Sequence, residues 1–319
     1  MANTGTSLWP LLNQAENLIQ QGDQRGARAL FEQAMNIASA ADDPWMTWLT
    51  YIRSGTTEVR LGEIERALLY FGRGTDALRR EENLASPPAE AAPLLQSLQQ
   101  ELASPEMAAP THVRGLSRLA GGMAARRTGK LALAEAELRE ALPLLAQDGD
   151  SVNMAAATLE LAGCLSDRGD VAFDSGRLAE AKDFYNRSFE LYSQSGHMAG
   201  EAKILLGLGN VLREEGDPSS AYSYYTKAAR RARGQGNSGL MGRCHVETAQ
   251  LCAMNGRVPE AQWNLTCARA LFAQSDTHLV SDVDTTLANI RSYNPAAYDQ
   301  LARAFKVQGL GDIWSLTPP

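Results

Sequence analysis

An all-α fold, an α-solenoid of about six helix-turn-helix repeats, is predicted by three features of the sequence. Glycines recur at a near-constant spacing, small and large apolar residues keep fixed offsets from them, and alanine is abundant. The glycines are Gly22, Gly62, Gly129, Gly176, Gly216 and Gly256, separated by 40, 67, 47, 40 and 40 residues. Five residues after each stands an alanine: Ala27, Ala67, Ala134, Ala181, Ala221 and Ala261. Nine after stands a large residue: Phe31, Phe71, Leu138, Tyr185, Tyr225 and Leu265. Twelve after stands a small one (Ala34, Gly74, Ala141, Ser188, Ala228, Ala268), and seven before another (Ala15, Gly55, Gly122, Gly169, Gly209, Ala249). The 49 alanines favour helix, where alanine gives up no side-chain entropy. Aromatic residues at 7% argue against long strands.

The offsets have a physical reading. Glycine takes the left-handed conformation that ends a helix and turns the chain, so each glycine separates a first helix from a second. Small residues seven before and five after let the two helices approach. The large residue at nine fills the space between them, and the small one at twelve admits the next unit. One hairpin cannot bury its apolar face alone, and stacking neighbours makes the core continuous.

The run Gly209-Asn210-Val211-Leu212-Arg213-Glu214-Glu215-Gly216-Asp217, followed by Ala221, Tyr225 and Ala228, resembles a tetratricopeptide repeat. So does Gly169-Asp170-Val171 through Gly176, Ala181, Tyr185 and Ser188. The resemblance covers roughly residues 8 to 275. Its period of 40 exceeds the usual ~34 and is similar to the longer repeats of kinesin light chains and MalT-type bacterial regulators. It implies a right-handed solenoid and says almost nothing of function, which belongs to sites carried on a fold.

First helices are expected over 8–21, 44–61, 112–128, 151–175, 198–215 and 238–255, and second helices over 24–40, 63–81, 131–147, 177–195, 218–233 and 258–274. Pro44, Pro218 and Pro259 fall at helix starts, where a missing amide is harmless, and Asp42, Asp150, Asp217 and Ser238 are the expected caps. The chain then divides into an N-terminal block of two repeats (1–81), a proline-rich insertion (82–111), a block of four repeats (112–275) and capping helices with a tail (276–319). Within the insertion, Ala89 to Ala103 reads as a short helix. The 47-residue gap is absorbed by the long helix at 151–175. A capping helix is expected over His278 to Ser292, and another after Asn294-Pro295. The tail carries Trp314, which packs on the cap or occupies a groove of this or another copy.

A net charge of −7 argues against nucleic acid. No stretch reaches the ~18 apolar residues of a membrane span, and Met1 to Pro10 has neither Lys nor Arg, so a cytoplasmic protein without membrane insertion is expected. The four cysteines (Cys164, Cys244, Cys252, Cys267) lack CxxC spacing and are expected as reduced core residues; Cys244, His245 and Cys252 lack the fourth ligand of a metal site. Neither metal nor cofactor is expected. The four histidines, His112, His197, His245 and His278, are dispersed, and no phosphate loop or nucleophile motif is present, so no enzyme is expected. Asn186 and Asn264 begin glycosylation sequons in spelling only.

The resemblance places a peptide-binding groove on the first helices, at thirteen, nine, six, three and two before each turn glycine. Repeats two and three contribute Arg53, Arg60, Arg126 and Arg127 there, without an acid at those positions. Repeat four contributes Asp167, Asp170 and Asp174. Repeats five and six contribute Lys203, Arg213 and Arg243 with Glu214, Glu247 and Gln250, and Asn210 matches the family's frequent groove asparagine, which pairs with a ligand backbone. Arginine forks suit carboxylates, including a peptide C-terminus. The alternative is that these charges pair with one another between repeats. The expected function is a non-catalytic interaction scaffold or adaptor whose partner is another protein or an acidic or C-terminal peptide. Self-association as a homo-oligomer, or sensing of a short peptide or small acidic ligand, stands beside it. A second basic cluster, Arg230-Arg231-Arg233 with Arg79-Arg80, lies near second-helix C-termini, where it complements the helix dipole.

Overall fold

The computed structural model describes residues 5–41, 43–79, 87–102, 111–275 and 277–308. Among them are fifteen α-helices, one short 3-10 turn and no strand. Six hairpins account for most of the chain. They are α1 (Gly5–Gln20) with α2 (Gln24–Ala41), α3 (Pro44–Leu61) with α4 (Ile64–Arg79), and α6 (Thr111–Arg127) with α7 (Leu131–Gln147). There follow α8 (Ser151–Asp174) with α9 (Leu178–Gln194), α10 (Met198–Glu214) with α11 (Pro218–Gly234), and α12 (Ser238–Met254) with α13 (Val258–Ser275). The insertion forms α5 (Ala92–Leu102), and two helices follow the repeats, α14 (Thr277–Tyr293) and α15 (Pro295–Gln308). These are the expected elements within a few residues. The flanks of the insertion, Arg80, Asp42, Trp314 and the rest of the tail lie outside the described residues.

The helices collect into two compact units, Met1–Cys164 and Leu165–Pro319, with the boundary inside α8. In the first, α1 packs on α2, α2 on α3, α3 on α4, α4 on α6, and α6 on α7 and α5. In the second, α9 packs on α10, α10 on α11 and α12, α11 on α12, α12 on α13, and α13 on α14.

All six turn glycines have positive φ, from 71° at Gly256 to 83° at Gly22. The turn at Gly216 shows why the local sequence suffices. Gly216 N–H donates to the Arg213 carbonyl at 3.0 Å, and Asp217 N–H reaches back to the Leu212 carbonyl at 2.9 Å, which satisfies the last carbonyls of α10. Asp217 then caps α11, accepting from Ser220 N–H at 3.0 Å, with Pro218 as the first helical residue. Asp150 caps α8 in the same way through Asn153 N–H. Two caps sit one residue away from their expected place. Asp43 caps α3, and Asn237, not Ser238, caps α12, because the capping oxygen must precede the first helical residue. Three further glycines, Gly149, Gly196 and Gly236, also have positive φ and turn the chain between repeats, 20 residues after Gly129, Gly176 and Gly216.

The offsets describe one packing motif. A β-carbon added at Gly209 would lie 2.5 Å from the Tyr225 ring, and one at Gly169 2.5 Å from Tyr185. Gly122 stands in the same relation to Leu138, and Gly55 to Phe71. The ring of Tyr185 also approaches Gly207 of the following repeat, so one side chain joins two hairpins. At one of the twelfth positions the expectation is corrected. Gly74 faces Ile52 and the Trp48 carbonyl of its own first helix, so it admits the partner helix rather than the next unit.

All four cysteines are buried and none is in a disulfide. Burial pushes the Cys244 thiol up to about 12. Native protein is therefore expected to leave Cys244 unmodified by iodoacetamide at pH 8 and to be labelled there only after unfolding, as mass spectrometry of the peptide will read. His245 and Asn264 are fully buried too, joined by a 2.8 Å hydrogen bond, so Asn264 is core and not a modification site.

Candidate functional site

The first-helix face of the unit Leu165–Pro319 is carried by the end of α8, by α10 and by α12. The turn glycines set the register, so equivalent positions recur on neighbouring helices. Two hydroxyls organise its floor. Tyr185 Oη donates to Asp170 Oδ1 at 2.7 Å, and Tyr225 Oη donates to Asn210 Oδ1 at 2.9 Å. In each case the residue nine after the glycine grips the residue six before it. Asp170 and Asn210 are thus held with their remaining polar atoms directed elsewhere. Both phenols are pushed well above their ordinary range, by burial first; the Asp170 carboxylate adds to the effect on Tyr185.

A folded-state phenol pKa above the unfolded value contributes stability that is complete below about pH 10 and is lost as pH rises beyond it, because the unfolded chain then releases its protons first. Urea midpoints are expected to fall from pH 9 to pH 11, with a shallower fall in a Tyr185→Phe/Tyr225→Phe variant.

Ion pairs join the repeats across this face. Lys203 Nζ lies 3.2 Å from Asp170 Oδ2 and 3.7 Å from Asp167. Arg213 pairs with Glu247 of the next repeat and with Glu214, and donates to Gln250 Oε1 at 2.9 Å. Arg243 is exposed and has no ion pair among the described residues. Its place is informative. Arg243 stands thirteen before its turn glycine, as Lys203 does, and the residue corresponding to Asp170 is here Asn210. The base is retained and the acid is not.

The arginines expected to form a groove cluster in the other unit are placed differently. Arg53 is only 2% exposed and pairs through both nitrogens of its fork with Glu16 of the preceding repeat. It is core, not groove surface. Arg126 pairs with Glu160 at 2.9 Å and lies over Gly163, and Arg127 approaches the same carboxylate at 3.7 Å. Arg60 is exposed in the last turn of α3. The offset rule counts charges but not partners: Glu160 lies outside the five positions considered, and Glu16 stands six before Gly22, in the preceding repeat. The signal that was missed is the coincidence of Tyr at nine after with Asp or Asn at six before, which occurs in repeats four and five alone.

Residues 165–234 match the family model described as tetratricopeptide repeat. That segment is therefore a run of tetratricopeptide repeats, a fold that serves in general as a protein-interaction scaffold. Among solved structures it is similar to BtubC (BKLC) from P. vanneervenii, at 13% identity over 80% of this chain and 92% of that one, with a TM-score of 0.40. It is also similar to a STAND protein with a tetratricopeptide repeat sensor from Pyrococcus horikoshii, at 15% identity, 85% and 43% coverage and a TM-score of 0.43. A third is a tetratricopeptide repeat protein from Parabacteroides merdae, at 15% identity, 87% and 97% coverage and a TM-score of 0.30. No curated protein matches the chain in sequence. No described helix is long and apolar enough to cross a membrane.

Proposed function

We propose that the chain is a non-catalytic adaptor that captures an acidic or C-terminal peptide segment of a partner protein on the first-helix face of residues 165–319. Arg243 takes the carboxylate, and the amide nitrogen of Asn210, whose oxygen is already engaged by Tyr225, takes a backbone carbonyl. Gln250 and Lys203 border the same face. The observation that supports this reading is the unmatched Arg243, standing in a register where Lys203 finds Asp170 one repeat earlier. A guest carboxylate completes the pattern and makes a charge-assisted hydrogen bond, the stronger kind. Pairs already closed, such as Arg213 with Glu247, have no such vacancy.

The test is a displayed peptide library panned against the full chain. Enrichment of carboxylate-bearing sequences is expected. The best peptide is expected to bind Arg243→Glu and Asn210→Asp each at least about tenfold more weakly, the scale of one charged hydrogen bond. Asn210→Asp is the sharper variant. It reproduces the Asp170 arrangement, keeps the acceptor for Tyr225 and closes Arg243 internally, so binding is lost while the melting temperature holds. Selected peptides without acidic groups, or peptides indifferent to Asn210→Asp, would overturn the reading.

A further inference from the structure

The opposite side of α10 holds a feature that the interaction face does not use. Helices α9 and α11 both pack on α10, and between them lies a cavity of about 570 Å³. Leu205 and Leu208 of α10 form its floor, with Phe189 of α9 and Tyr224 of α11 as walls. Its rim on α11 carries Lys227, Arg230 and Arg231. No carboxylate lines it among the described residues. Arg231 is paired with Glu201 at 2.8 Å, and the Lys227 ammonium lies 4.7 Å from the centre of the Tyr224 ring. Neither Lys227 nor Arg230 has an ion pair among the described residues, and both are exposed.

The basic cluster on α11 is thus more than a complement to the helix dipole. The dipole acts within the last turn, whereas Lys227 stands two turns before the end of α11 and faces the cavity. An apolar trough with one cationic edge selects a ligand that is apolar along its length and anionic at one side. Its volume is that of a site for one small molecule.

We propose that this cavity binds a small amphipathic anion, a carboxylate with an acyl or aryl body. The body lies on Leu205, Leu208 and Phe189, and the carboxylate meets Lys227 and Arg230. The inference is independent of the peptide face, since the two sites share no residue.

Decanoate and its uncharged methyl ester are the probes, titrated calorimetrically into the full chain below the micelle concentration. Gly234 supplies the control. It lines the mouth of the cavity, and a β-carbon added there meets nothing within 4 Å, so Gly234→Trp fills the space without disturbing a neighbour. Saturable one-to-one binding of decanoate is expected, with the ester at least about tenfold weaker, the size of a charged contact. Gly234→Trp and the double variant Lys227→Glu/Arg230→Glu are expected to lose at least about the same factor, with unchanged melting temperatures. Absence of saturable decanoate binding, equal binding of the ester, or binding untouched by Gly234→Trp would overturn the proposal. So would an acidic amphipathic peptide that occupies this face when decanoate does not.

Discussion

Arg53→Met is expected to destabilise the unit Met1–Cys164 by about 3–5 kcal/mol, the scale of a buried ion pair deprived of one member. The reason is geometric. Arg53 is 2% exposed and Glu16 7%, and Arg53 donates two hydrogen bonds to the Glu16 carboxylate between the first helices of repeats one and two. Removing the guanidinium leaves a carboxylate in the interior, where solvation is lost and no second ion pair holds it among the described residues. Urea unfolding followed by tryptophan fluorescence, in a Trp263→Phe background, reads this unit, because the buried Trp45 and Trp48 lie in α3 with Arg53. The double variant Glu16→Leu/Arg53→Met removes both charges, and its midpoint is expected to return most of the way to wild type. A single variant that melts with the wild type would show that water reaches the pair. Charge reversal at Arg53 is expected to unfold this region, so a lost interaction in such a variant says nothing about a groove.

Phe71→Ala is expected to have a comparable effect, about 3–5 kcal/mol, by leaving a cavity where a fully buried ring stood. Phe71 occupies the space that Gly55 concedes, since a β-carbon on Gly55 would lie 3.1 Å from the ring. The two positions therefore share one volume, and their substitutions will not add. Gly55→Leu alone overpacks the hairpin and destabilises it by about 1–3 kcal/mol. Gly55→Leu combined with Phe71→Ala is expected to recover part of both losses, because the leucine refills the vacated space and improves helix propensity in α3. A double-mutant cycle checks this, and simple additivity would refute the shared volume.

The hairpins were legible because their signals are local. A turn needs one left-handed glycine, a cap needs one oxygen, and a close helix crossing needs a small residue opposite a large one. Gly216, Asp217 and the Gly209–Tyr225 pair each satisfy such a condition within a short span. The candidate site was legible only in part. Offsets from the glycines put Asp170, Lys203, Asn210, Arg213, Arg243 and Gln250 on one face, and the structure carries them on α8, α10 and α12. What the offsets cannot supply is which charge is already spent. That depends on partners some 33 to 37 residues away, such as Lys203 with Asp170 and Arg53 with Glu16. The cavity beside α10 gave no sequence signal beyond its arginines, because its apolar walls look like any helical core position.

The ionic contacts between repeats have a bearing on how such a chain changes length. Lys203 reaches back to Asp170, and Arg243 occupies the same station one repeat later. Excision of residues 198–237, one full period of 40, would bring Arg243 opposite Asp170 with the turn at Gly196 intact. The joint would be electrically matched without any compensating substitution. Duplication of the same block would instead create a second unmatched base beside a second asparagine. Whole periods are thus the natural units in which this architecture can be lengthened or trimmed, and each step adds or removes one such cationic station.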